Sequence, residues 1–391
     1  MTQMNYFKTL PFVALTVLAC MLAGCGKDSK AAPGASAAKD DGTADVERGM
    51  AALEKQDLKA ASAAFNAAVK TCPANFEAQM QLAVLNIRLG ETAAAAAAAA
   101  RALEIHPDSA EARLVSGQAA YLTKDYARAL QHFSAVALEK SLPANVRSEA
   151  WAGRGVVEFV MDKPDAARIS FLRARRLKRN NASAFYHLGM LYRDKYHYDD
   201  AVVMEQFLMA SRMLDAKDPR ASKILRDIIP PLKSSIAAAA AKRGEAKRNP
   251  AKSAKLLSEG KALEAKKQTT AAMKKYEDAF AADPLSGPAA YAFAMLKGAN
   301  VRLGNQNDVD KVRDAYHAAI ADNPSSQAYY ESAAQFLYKH KRWANAIKVL
   351  EKAIAHDPDN LKALDLLIAA LKKAGRGAES ERWDEYRKTL Q

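Results

Sequence analysis

Histidine is the side chain most often used to carry a proton or hold a metal near neutral pH. This chain has seven: His106, His132, His187, His197, His317, His340 and His356. His187 and His197 stand among Tyr186, Tyr196, Tyr198, Asp199 and Asp200, where a metal or acid/base site is conceivable. Their spacing matches no ligand motif, and packing and surface roles account for them. Cys20, Cys25 and Cys72 are too few and too scattered for a cysteine zinc site. There is no nucleophile elbow, no phosphate-binding glycine loop and no zinc-protease helix. The expected chemistry is therefore binding: no enzyme, no cofactor and no metal.

The elements that would position a binding surface are helices. Half of the residues are apolar, but aromatics make up only 7% and β-branched runs are few. Strong helix formers dominate, which points to an all-α protein. The net charge is +14, from 58 basic and 44 acidic residues. Such a surface attracts polyanions.

Residues 1–24 contain a single charge, Lys8, followed by an apolar run from Leu10 to Leu22. That run is short for a membrane span and has the make-up of a signal peptide. It ends in Leu22-Ala23-Gly24-Cys25, which resembles the lipobox of bacterial lipoproteins. The resemblance implies that Cys25 is acylated and becomes the first mature residue. More than one acyl chain gives stable membrane anchoring. Gly26 rather than Asp after the cysteine implies the outer membrane, facing the periplasm. An exported protein is not expected to bind nucleic acid. Once Cys25 carries lipid, Cys72 has no partner for an intramolecular disulfide. Residues 25–44 are small, polar and aperiodic, the composition of a flexible tether.

From Asp45 onward the punctuation repeats. Pro73 and Pro107 are 34 apart, as are Pro324 and Pro358. Gly117, Gly155 and Gly189 mark one set of helices. The others read Ala61…Phe65…Ala68, Ala129…Phe133, Ala167…Phe171…Ala174, Ala272…Tyr276…Ala279 and Ala346…Leu350…Ala353. The small residue lets two helices approach and the aromatic fills the gap to the next. Proline stops each second helix. This period and pattern resemble the tetratricopeptide repeat, which implies a superhelical solenoid of about eight to nine helix pairs. We expect a front block at 45–219, a linking helix or hinge at 220–252 and a rear block at 253–391 ending in a cap. Pro230-Pro231 is expected to end one helix there, and Ser234-Ser235 to cap the next. The unit after Ala201 is expected to have a longer second helix. Six extra residues are expected near Gly304-Asn305-Gln306-Asn307.

In tetratricopeptide arrays the first helices line a concave groove. Carried onto this chain, that places Met80, Val84, Ile87, Leu114, Gln118, Tyr121, Leu122, Val156, Phe159, Val160, Tyr186, Met190 and Arg193 in a front groove. It is apolar and suited to a segment of another protein. Lys261, Glu264, Glu331, Gln335, Tyr338, Lys339 and Lys373 would line a more polar rear groove. Two basic clusters stand out: Arg168, Arg173, Arg175, Arg176, Lys178 and Arg179, and the nine bases of 242–267. They read as solvated helix faces, or as contacts for anionic lipid or acidic polysaccharide.

Together these features describe a membrane-anchored periplasmic scaffold for assembling an envelope system, such as a pilus, a secretion machine or an exopolysaccharide exporter. Its partners would be envelope proteins held in the groove. The alternative is a regulator of an envelope enzyme, such as a peptidoglycan hydrolase or polysaccharide synthase.

Overall fold

The computed structural model describes residues 41–390 apart from Asp199, 215–217, 245–247 and Leu303. The signal peptide 1–24, Cys25 and nearly all of the 25–44 tether lie outside the described residues. Among the described residues every regular element is helical. None of these helices is long and apolar enough to cross a membrane.

The helices form nine successive pairs. They are α1 (Thr43–Glu54) with α2 (Leu58–Thr71), α3 (Phe76–Leu89) with α4 (Thr92–Ile105), and α5 (Ala110–Leu122) with α6 (Tyr126–Leu138). Next come α7 (Ala144–Val160) with α8 (Pro164–Leu177) and α9 (Ala182–Asp194) with α10 (Asp200–Met213). After a linker, α13 (Pro250–Ala265) pairs with α14 (Thr269–Ala282) and α15 (Gly287–Asn300) with α16 (Gln306–Asp322). Last are α17 (Gln327–Lys339) with α18 (Trp343–His356) and α19 (Leu361–Lys373) with α20 (Gly377–Lys388).

The prolines act through the residue before them. Cys72, His106, Asp283, Asn323 and Asp357 each precede a proline, and each is extended, with φ between −144° and −128°. Proline excludes helical geometry at the residue before it, so the second helix stops there. Two residues after the proline stands Asn75, Ser109, Ser286, Ser326 or Asn360. The side chains of Asn75, Ser109, Ser286 and Asn360 accept the N–H three residues on and so start the next helix.

In several pairs the crossing is set by a glycine opposite an aromatic. A Cβ on Gly155 would stand 2.7 Å from the Phe171 ring, so only glycine permits this approach. Gly260 meets Tyr276 in the same way. Phe171 and Tyr276 are both buried.

Contacts divide the chain into two units, 1–187 and 188–391. The expected hinge belongs to the second. There α11 (Pro219–Lys223), a π turn (Ile224–Ile228) and α12 (Ile229–Gly244) run on as one helical segment, packed on α10. Pro230 and Pro231 do not end a helix. They stand in the first turn of α12, and Ser234-Ser235 fall inside it instead of capping it. The physical reason is the π turn, in which the N–H of Ile229 donates to the carbonyl of Ile224. The wider turn absorbs residues that lack an N–H and whose rings would clash with an α-helical carbonyl. Ile224, Ile228, Ile229 and Leu232 are buried along this segment.

Two further expectations are adjusted. Helix α10 has 14 residues, the common length, so the pair after Ala201 has no enlarged second helix. The extra residues near Gly304 divide between the connection before α16 and α16 itself, which has 17 residues. At the end of the chain, α19 and α20 make a full ninth pair, with Trp383 and Tyr386 buried.

Candidate functional site

In the first unit the groove residues expected from the sequence stand on the first helices α3, α5 and α7, with Tyr186 on α9. Helix α3 is buried without a break from Ala78 to Ile87, so Met80, Val84 and Ile87 are interior. Leu114, Gln118, Val156 and Tyr186 are also buried, as is Met190 in the second unit. These eight expected groove residues offer almost no exposed surface. The residues that do reach solvent lie at the C-terminal ends of the same helices. Leu89 closes α3 and is 41% exposed. Tyr121 and Leu122 close α5, and Phe159 and Val160 close α7, all half-buried. The ends of successive first helices thus carry a repeated apolar and aromatic edge. The Tyr121 ring lies 6.1 Å from that of Tyr126 across the turn of its pair. Burial pushes the Tyr121 phenol well above its usual range, with Tyr126 adding to the shift, so the group stays neutral.

Arg193, in the second unit, is half-buried with its guanidinium 5.8 Å from the centre of the Phe207 ring. It also donates to Asp194 from Nε, at 2.6 Å.

The cluster Arg173, Arg175, Arg176 and Arg179 is not the solvated face expected from its sequence. Arg173 lies over the buried Trp151 ring at 4.6 Å, with Arg154 also over it at 5.1 Å. Arg175 lies over Phe185 at 4.5 Å. Arg168 is buried and reaches Asp165 at 3.3 Å. Lys178 pairs with Glu149 at 3.1 Å. Only Arg179 is exposed; Arg176 is half-buried. Cation–π stacking turns what the sequence shows as surface charge into packing for the α7–α8 pair. Beside it, buried Glu158 accepts from Arg154 at 2.8 Å and from Ser170 at 2.6 Å.

His187 is buried, stacks on Phe171 and bonds through Nδ1 to the Ser183 carbonyl at 2.8 Å. His197 is exposed at a positive φ. Among the described residues no group of three or more His, Cys, Asp or Glu side chains could hold a metal.

Nine helix pairs, five of them closed by a pre-proline residue and several crossing through a glycine opposite an aromatic, define a helical-repeat solenoid among the described residues. The repeat itself is the tetratricopeptide: the model of that repeat family matches residues 46–110, 80–147 and 301–360. The chain contains tetratricopeptide repeats at these places, and proteins with such repeats typically serve as non-enzymatic scaffolds. Among solved structures it is similar to PilW, described as a widely conserved type IV pilus biogenesis factor. Identity is 19% and the TM-score 0.42, over 51% of this chain and 94% of that one. It is also similar to pilF of Pseudomonas aeruginosa, with 20% identity and a TM-score of 0.40 over 50% and 90% of the two chains. A tetratricopeptide repeat protein of Parabacteroides merdae matches over 76% of this chain and 99% of its own, at 14% identity and a TM-score of 0.35. No curated protein sequence matches the chain.

Proposed function

We propose that this protein is a lipid-anchored periplasmic scaffold. It is held to the membrane, most simply the outer one, through acylated Cys25 and a flexible tether. Its repeats hold other envelope proteins during assembly of a pilus, secretion or exopolysaccharide-export system. The observation that carries the partner-binding part is the edge formed by Leu89, Tyr121, Leu122, Phe159 and Val160. Apolar and aromatic groups left accessible at the C-terminal ends of successive first helices suit a segment of another protein. The anchoring rests on the lipobox-like Leu22-Ala23-Gly24-Cys25.

The test replaces Tyr121 and Phe159 by a photo-crosslinking residue, one at a time, in the full chain in cells. Both positions should trap the same envelope protein, and Tyr121→Ala with Phe159→Ala should lose it while the helical circular dichroism is kept. Two unrelated products, or capture undiminished in the double variant, overturns the edge as the site. In parallel, a palmitate analogue should label the wild type and not Cys25→Ser; equal labelling of both would remove the anchor.

A further inference from the structure

The second basic cluster differs from the first. Helix α13 and the turn after it carry five exposed lysines: Lys252, Lys255, Lys261, Lys266 and Lys267. Among the described residues none of them is in an ion pair, whereas the acids of this helix pair are engaged. Glu259 takes Lys275 at 2.7 Å, Glu264 accepts from the Tyr276 hydroxyl at 2.5 Å, and Asp283 takes Arg248 at 2.8 Å. Glu277 and Asp278 share Lys274. Lys275 and, less strongly, Lys255 hold the Glu259 carboxyl below its usual range, so the lysine charge is turned outward and only partly balanced from within.

Their placement is ordered. At 3.6 residues per turn, Ala251, Ala254, Ser258, Ala262 and Ala265 fall on one strip of α13, and all five are exposed. Lys255 and Lys266, with Lys252 just beyond them, border one side of the strip; Lys261 borders the other. Lys252 and Lys266 are about 21 Å apart along the axis. The first turn has no acidic residue, and Lys252 stands in it, against the helix dipole. A bound anion would relieve both unfavourable terms.

The strip also discriminates among polyanions. It has no exposed large apolar side chain to enter a bilayer, because Leu256, Leu257 and Leu263 are half-buried. It has no aromatic on which a nucleic-acid base could stack. It does offer small methyl groups and a hydroxyl between a row of three ammonium groups and the single one of Lys261. We propose that α13 is a docking face for a linear acidic polysaccharide, whose sugar rings lie on the alanine strip and whose carboxylates meet the flanking lysines.

Alginate, a polyuronate, is the probe, with neutral dextran, phosphatidylglycerol vesicles and single-stranded DNA run beside it. The detergent-purified full chain should bind alginate and not dextran, and affinity should fall as salt rises. The triple variant Lys252→Ala, Lys255→Ala, Lys266→Ala should bind on the order of tenfold more weakly. Lys→Arg at the same three positions should restore binding, which separates loss of charge from loss of fold. Replacing Lys341, Lys348 and Lys362, which are exposed elsewhere, should change little. The proposal is overturned if alginate does not bind, if the two triple variants lose equally, or if vesicles or DNA bind through these lysines in preference to alginate.

Discussion

Helices α3 and α13 occupy the same place in their pairs, yet they are buried very differently. Helix α3 buries every residue from Ala78 to Ile87, including Gln79, Gln81 and Asn86. Helix α13 buries Ser253 and Gly260 alone. Helix α3 lies against α2, α4 and α5, whereas α13, which restarts the stack after the linker, packs mainly on α14 and α15. The repeat pattern thus fixes how two helices of one pair cross. How deeply the rest of a first helix is buried depends on its neighbours, and it sets what the helix can do. Helices α3, α5 and α7 are core with an accessible end; α13 is mostly surface.

The largest expected effect comes from removing the aromatic at the crossing. Phe171→Ala should cost about 3–5 kcal/mol, since the fully buried ring is enclosed by a filled interior that relaxes poorly. Tyr276→Ala should cost less, about 2–3 kcal/mol, because its pair has an open side that can collapse toward the cavity. Urea unfolding, with hydrogen exchange to localise the opening, measures both. Equal losses, or a larger one at Tyr276, would break the contrast between the two regions.

The repeats were legible because they rest on local rules. Pro73, Pro107 and Pro358 stop helices through the residue before them, and Gly155 and Phe171 are paired by helix sterics. The groove was less legible. Met80 and Leu114 stand in correct first helices, but burial around a helix depends on stacking that period and spacing do not encode. The arginines of 168–179 misled for a related reason. A guanidinium over Trp151 or Phe185 looks like solvated charge until the ring's position is known. Pro230-Pro231 looked like a stop because a π turn has no sequence signature.

A smaller effect separates two equivalent serines, each seven residues before the crossing glycine. Ser148 is buried, donates to the Ala174 carbonyl at 2.7 Å and accepts from Asn181 at 2.8 Å. Ser253 is just as buried, but its hydroxyl has no partner among the described residues. The position corresponding to Asn181 is Ser286, which has no amide N–H to donate and whose hydroxyl accepts from the Ala289 N–H. Ser148→Ala should cost about 1–3 kcal/mol by orphaning buried groups, while Ser253→Ala should be neutral or slightly stabilising. Ser286→Asn should supply the missing partner and gain about 1 kcal/mol. If Ser253→Ala cost as much as Ser148→Ala in thermal unfolding, Ser253 would be satisfied after all and the rear stack better knit than its burial shows.

The smallest effect should be the same in both regions, and that uniformity is its test. Each of the nine pairs turns through one residue at positive φ: Gln56, Gly90, Lys124, Asp162, His197, Lys267, Gly304, Lys341 and Gly375. Only three of them are glycine, which is why this feature of the repeat was hidden in the sequence. A Cβ at Gly90 or Gly375 would meet nothing within 4 Å, so substitution there probes backbone conformation alone. Gly90→Ala in the front and Gly375→Ala in the rear should each cost about 1 kcal/mol, the left-handed penalty of a side chain less the entropy that alanine removes from the unfolded state. Lys124→Gly and Lys341→Gly should return a similar or smaller amount. The turn is made before any neighbour is reached, so front and rear should respond alike, unlike the crossings and the serines. A cost confined to Gly90 would mean that stacking, and not the turn's own geometry, holds the left-handed residue in place.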